Sequence, residues 1–180
     1  MKLQSLTYWI LFLGFVQVFG QNEKKLQLDQ SNSYLTYEAE HFTHNWSGTN
    51  EKPKGILVLD ENRIPKQIAV TAALTDFNSQ NANRDAHALE ILNALIHANV
   101  RFYSSSVVVD GNEISFSGYI ELAGKKVEKI IPLRIETNAE QVQIKGDFEF
   151  KLSDFDVPRP SFLLKKVKDE IQLSVLLNFK

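Results

Sequence analysis

The sequence predicts an all-β fold of about eight antiparallel strands carrying one α-helix. Three observations predict it. Apolar and polar residues alternate at period two through most of the chain, turn signals separate the alternating runs, and a single segment changes to helical spacing.

The elements follow in chain order. In "YLTYEAEH", Leu35, Tyr37, Ala39 and His41 share one face. "GILVLD" (55–60) is a short apolar run with strand composition. "KQIAVTAALTDF" puts Ile68, Val70, Ala72 and Leu74 on one face. "NANRDAHALEILNALIHAN" then spaces Leu89, Leu92, Leu95 and Ile96 for a helix over about 83–97. Asn81 or Asn83 suits its N-cap, Asp85 its first turn and His97 its last. "VRFYSSSVVVD" (100–110) follows as a strand. "NEISFSGYIEL" sets Ile114, Phe116, Gly118, Ile120 and Leu122 against polar neighbours. "VEKIIPLRIE" contributes Val127, Ile131, Leu133 and Ile135. "QVQIKGDFEFKL" contributes Val142, Ile144, Gly146, Phe148, Phe150 and Leu152, and "EIQLSVLLNF" ends the chain with Ile171, Leu173, Val175, Leu177 and Phe179. "DGNE", "AGKK" and "TNAE" are the turns between several of these strands. Eight strands with one apolar face each either close into a barrel or stack as a sandwich. Ala39, Ala72 and Gly146 are small residues on the inner face and leave room for a cavity.

Met1–Gly20 has the form of a secretory signal peptide: Lys2, the apolar run "YWILFLGFVQVF", and small residues at Val18 and Gly20. An uncleaved anchor is the alternative. Cleavage leaves residues 21–180, read as an N-terminal extension (21–30) and one domain (31–180), and puts the product in the periplasm or outside the cell. The chain has 20 Lys+Arg and 22 Asp+Glu, and loss of Lys2 leaves 19 against 22. This balance offers no basic excess to track a phosphate backbone, so nucleic acid is not an expected partner. There are no cysteines, which removes disulfides, thiolate metal sites and thiol catalysis.

The residues also resemble a known family. "NANRDAHALEIL" is similar to the Asn-x-x-Arg-Asp-x-His-Leu region of the YceI-like proteins, and "VRFYSSSV" with Phe102 follows it as in that family. Gly118, Gly124 and Pro132 in "GYIELAGKKVEKIIPL", and Arg159–Pro160–Ser161 with Asp169–Glu170 near the end, fall at matching places. "SYLTYEAEHFTHNWSG" resembles the variant common in the Bacteroidetes. The resemblance spans about 31–180. One departure is Ala98, where the family usually has proline before the strand after the helix. It implies an eight-stranded lipocalin-like antiparallel barrel with an apolar interior, binding a long-chain lipid, above all an isoprenoid. It implies no catalytic residues and no cofactor other than such a lipid. A transient membrane contact is compatible with it; the oligomeric state is not read from the sequence.

The candidate ligand-binding residues are Tyr37, His41, Phe42, Trp46, Phe77, Phe102, Phe116, Phe148, Phe150 and Phe162. Core packing would use the same aromatic residues, and the resemblance is what favours a tunnel that they line for a lipid. His41 and His44 raise the question of a metal. Residues three apart on a continuous strand face opposite ways, so the pair chelates only if the strand ends between them. No H-E-x-x-H or similar pattern completes a site. The reading is therefore His41 on the cavity wall, with His44 and Trp46 at the rim. A cell-envelope enzyme or metal protein using His41, His44 and His87 is the alternative, and a stress-response structural factor a third. Arg84 and Asp85 are read as helix-start residues, and Lys165, Lys166 and Lys168 as a solvated hairpin balanced by Asp169 and Glu170. No G-x-S-x-G, P-loop or G-x-G-x-x-G motif is present.

Overall fold

The computed structural model describes residues 23–162 and 165–180. Residues 1–20, read from the sequence as a signal peptide, lie outside the described residues. In chain order the strands are β1 (Lys24–Gln27), β2 (Tyr34–His41), β3 (His44–Asn50), β4 (Lys54–Leu59) and β5 (Pro65–Ala73), then helix α1 (Ala82–Ile91). There follow β6 (Asn99–Asp110), β7 (Glu113–Leu122), β8 (Lys125–Thr137), β9 (Val142–Lys151), β10 (Ser161–Phe162), β11 (Lys165–Lys166) and β12 (Glu170–Phe179). Ten strands form one antiparallel sheet in the order β1-β4-β5-β6-β7-β8-β9-β12-β2-β3, and β10 and β11 make a separate small hairpin.

The all-β reading with one helix stands, but the sheet has ten strands rather than eight. The two additions are β1 and β3. β1 is four residues long and buries only Leu26, and β3 reads "HNWSGTN", with no run of alternating apolar residues. Neither carries the periodicity that marks a half-buried strand. β1 also brings part of the 21–30 segment into the sheet.

The sheet curls so that its β1 edge reaches the end of β12 and its β3 edge reaches the segment after β5. Gln27 and Lys180 exchange backbone hydrogen bonds, both 2.9 Å, and Leu28 bridges Phe179 beside them. On the other side Thr49 and Asn78 exchange backbone bonds, 3.0 and 3.1 Å. Fully buried Asn50 ties the same seam. Its amide donates to the Ala73 carbonyl at 2.9 Å and its side-chain oxygen accepts the Lys52 N–H at 2.8 Å. These contacts supply locally what a continuous ladder supplies in a closed barrel. Gly118 lies where the β6 backbone comes too close for any side chain, since a Cβ there would overlap the Tyr103 carbonyl. The sheet is bulged at this point, between Ser104 and Ser106.

The helix is shorter than its spacing predicts. Asn81 caps it as expected, accepting the Arg84 N–H at 3.1 Å, and Asp85 stands in its first turn. It ends at Ile91 because Asn93 adopts φ +50°, and the Ala94 N–H returns to the Leu89 carbonyl at 2.9 Å. Leu95 and Ile96, expected on the buried helical face, instead project from the following turn at 102% and 72% exposure. His97 is no longer in a helical turn; its ring fills the space above Gly124.

The two ends of the curled sheet differ. At one end Leu57, Leu59, Ile114, Val142, Ile144 and Phe179 are buried to 1% exposure or less and form a solid core. At the other end lie the β2–β3 turn, the β5–β6 connection bearing α1, the β7–β8 turn and the β9–β12 connection.

Candidate functional site

Alternation builds the site. Residues of β2, β5, β6, β7, β8, β9 and β12 that point inward wall a cavity of about 650 Å³. Its deep part is lined by Leu35, Ile68, Phe116, Val175 and Leu177, directly above the solid core. Further out come Val70, Ala72, Phe77, Phe102, Ile131, Leu133, Phe148, Phe150 and Leu173. Polar side chains gather at the open end: Tyr37, His41, His44 and Trp46 from β2 and β3, and Asn81, Asn83, Arg84, Asp85 and His87 from the start of α1. The cavity is thus apolar in depth and polar at one rim. That distribution suits an apolar chain carrying a single polar end.

Of the ten residues singled out from the sequence, Tyr37, His41, Trp46, Phe77, Phe102, Phe116, Phe148 and Phe150 line this cavity. Phe102 and Phe116 meet edge to face at 6.5 Å between ring centres. Phe42 does not line it. It occupies the tip of the β2–β3 turn, 57% exposed, with the Lys165 ammonium 4.6 Å above its ring. The side chain of Phe162 lies outside the described residues. The aliphatic wall residues, among them Leu35, Ile68, Leu133 and Leu173, were legible only as inner-face positions, because core and cavity wall share one pattern.

The strand ends between the two histidines, as the order His-Phe-Thr-His-Asn-Trp suggests. The strand ends at His41, Phe42–Thr43 make a two-residue turn, and His41 and His44 become cross-strand partners. Their rings lie 6.0 Å apart on one side of the hairpin. The Thr43 hydroxyl stands between them, 2.9 Å from His41 Nδ1 and 2.8 Å from His44 Nδ1. His41 is 3% exposed, and its Nε2 lies 3.2 Å from the Lys165 carbonyl, which can only accept. Because the carbonyl can only accept, Nε2 of His41 is the donor in that contact. Among the described residues no group of three or more histidines and carboxylates stands where it could hold a metal ion.

Beside the histidines, Tyr37 crosses over Gly48, its partner on β3. A Cβ at Gly48 would overlap the tyrosine ring, so the absence of a side chain lets that ring lie across the strand. Burial, reinforced by the negative charge of Asp85, raises the Tyr37 phenol above its ordinary range and keeps it neutral. Arg84 stacks 5.2 Å above the Trp46 ring and donates from Nη1 to the Ser79 carbonyl at 3.3 Å. Asp85 accepts the Ser79 N–H at 3.2 and 3.3 Å. Both therefore serve the helix start as expected, and both also border the mouth. His87 is at the rim as well, 3.6 Å from Glu90.

An antiparallel sheet curled round an apolar cavity, with one helix across a polar mouth, defines a lipocalin-like fold. The YceI-like domain family model matches residues 26–179, and the chain belongs to that family. Protein YceI of Escherichia coli O157:H7 is 24% identical over 145 residues, covering 74% of this chain and 75% of that one. Burkholderia cenocepacia BcnA has the same fold at TM-score 0.75 and 18% identity, covering 84% of this chain and 98% of its own. A polyisoprenoid binding domain from Saccharophagus degradans, implicated in plant cell wall breakdown, matches at TM-score 0.69 and 12% identity, covering 86% and 97%.

Proposed function

We propose that this chain is an exported carrier of a long-chain apolar lipid, an isoprenoid in the first instance, held tail-inward in the cavity. The observation that carries the reading is the cavity itself, with about 650 Å³ of aliphatic and aromatic wall and polar groups at one rim. The Saccharophagus degradans domain of the same fold, described as polyisoprenoid binding, supports the ligand class. Desolvation drives uptake. Each methylene removed from water contributes roughly 0.8 kcal/mol, so about ten give roughly 8 kcal/mol gross. Lost freedom on association costs at least about 4 kcal/mol, so affinity near micromolar, about 8 kcal/mol net, calls for a tail longer than ten carbons. Phe77, Phe102, Phe116, Phe148 and Phe150 hold the tail, while Tyr37, His41 and Trp46 fix the head. The chain acts as a binding protein rather than an enzyme. Signal cleavage after Gly20 delivers it to the periplasm or beyond.

The test is incubation of delipidated protein with a polyprenol series, followed by native mass spectrometry. One polyprenol per chain, bound more tightly as the tail lengthens until the cavity is full, is the expected result. Failure to retain any polyprenol overturns the reading.

A further inference from the structure

We infer that the mouth end of the sheet is a docking surface for an anionic lipid bilayer. The proposal rests on the carrier reading above and adds where and how the lipid is collected.

Two features converge at this end. Leu95 and Ile96, at 102% and 72%, are the most exposed large aliphatic side chains among the described residues, ahead of Ile130 on β8 and Val108 on β6, and Phe42 is 57% exposed. Topology puts all three at the end of the sheet where the cavity opens: Phe42 on the β2–β3 turn, Leu95 and Ile96 on the β5–β6 connection that also carries α1. Side chains so placed gain nothing in water and gain by entering an acyl boundary. The second feature is charge. Lys165 and Lys166 are exposed on β11, beside the same mouth, and neither has a carboxylate within 4.0 Å among the described residues. Three acids of the flanking segments are engaged: Glu40 with Lys168, Asp156 with Lys125, and Asp169 with Ser153. Lys165 also lies over Phe42, joining cation and ring in one contact. Exposed apolar tips and lysines without a carboxylate partner, at one end of the sheet, are complementary to a bilayer with anionic headgroups.

The cavity supplies the reason for this occupant. A long apolar tail would be exposed to water on any path from bilayer to cavity except one through a mouth seated on the bilayer. Sequence reading alone makes Lys165–Lys168 a solvated hairpin; the fold brings it to the one rim where a lipid enters.

The experiment is flotation of the protein, expressed as the full chain and with its N-terminus read by mass spectrometry, with two kinds of vesicle. One is phosphatidylglycerol with phosphatidylethanolamine, the other phosphatidylcholine alone. The inference expects flotation with the first, weakened by salt, and several-fold less with the second. Leu95→Ser with Ile96→Ser should cut it about tenfold or more. Lys165→Ser with Lys166→Ser should cut it about fivefold for each lysine. Ile64→Ser, an exposed apolar change at the opposite end, should leave it unchanged. No flotation of the wild type overturns the inference and leaves the patch to a protein partner. Flotation that neither pair of substitutions reduces also overturns it. Polyprenol delivered from ethanol separates the two claims: uptake without flotation removes only the docking surface, whereas absence of uptake removes the carrier reading.

Discussion

Whether the interior is hollow or packed changes the sign of a single substitution. Ala72 is 2% exposed and points into the cavity from β5. Ala72→Leu adds three carbons. In a hollow interior they bury apolar surface without displacing anything, worth up to about 2.4 kcal/mol at roughly 0.8 kcal/mol per carbon. In a packed core the same enlargement costs about 1–3 kcal/mol. Val142 gives the internal contrast: it is 0% exposed and belongs to the solid core at the closed end. Val142→Phe should therefore cost about 1–3 kcal/mol. Urea unfolding of the delipidated variants measures both, with an unchanged m-value showing that the midpoint shift is stability. Ala72→Leu should be neutral or stabilising, and should weaken polyprenol binding roughly fiftyfold if it displaces three methylenes. A loss of 1–3 kcal/mol for Ala72→Leu, matching Val142→Phe, would refute a hollow interior.

Four further outcomes are expected. Phe148→Asp, on the cavity wall but only half-buried, should abolish lipid uptake in the same assay while circular dichroism reports a retained fold. Asn50→Ala removes both side-chain bonds of the seam and leaves the Ala73 carbonyl and Lys52 N–H without those partners, costing about 1–3 kcal/mol in urea unfolding. Trp46 borders the mouth, half-buried, and is the sole tryptophan after Gly20; its emission should shift to the blue as a lipid excludes water, and should not respond to a divalent ion. The Ser153 hydroxyl and N–H hold the Asp169 carboxyl below its usual range. Its contribution to stability is therefore present above the ordinary carboxylate pKa and lost as pH falls through the lowered one, which carboxyl NMR titration and acid unfolding of Asp169→Asn would follow.

The sequence made the inward faces legible because each long strand has one buried side. Leu35–His41 and Ile68–Ala72 needed only their period-two pattern. Phe116, Phe148 and Phe150 reached the cavity for the same reason. β3 was missed because its inward positions include Gly48, a residue whose value is that it leaves room for Tyr37. No hydrophobicity pattern carries that information. The His41–His44 geometry depended on a two-residue turn, Phe42–Thr43, which lacks the Asn-Gly or Asp-Gly signature of such turns. Leu95 and Ile96 kept helical spacing, yet Asn93 ended the hydrogen-bond ladder before them. The mouth residues of α1 were legible as a helix start. Their place beside Trp46 is tertiary, set by the Thr49–Asn78 contact that draws the helix entry against β3.

The central claim is that a long apolar lipid occupies the cavity. Native mass spectrometry of protein purified from its own host, without detergent, tests it most directly, with organic extraction to identify the mass lost on unfolding. The account predicts one long-chain lipid per protein chain, released on denaturation and absent from the Phe148→Asp variant. A chain that is always recovered at its bare mass, or that carries the same adduct in the Phe148→Asp variant, would contradict it.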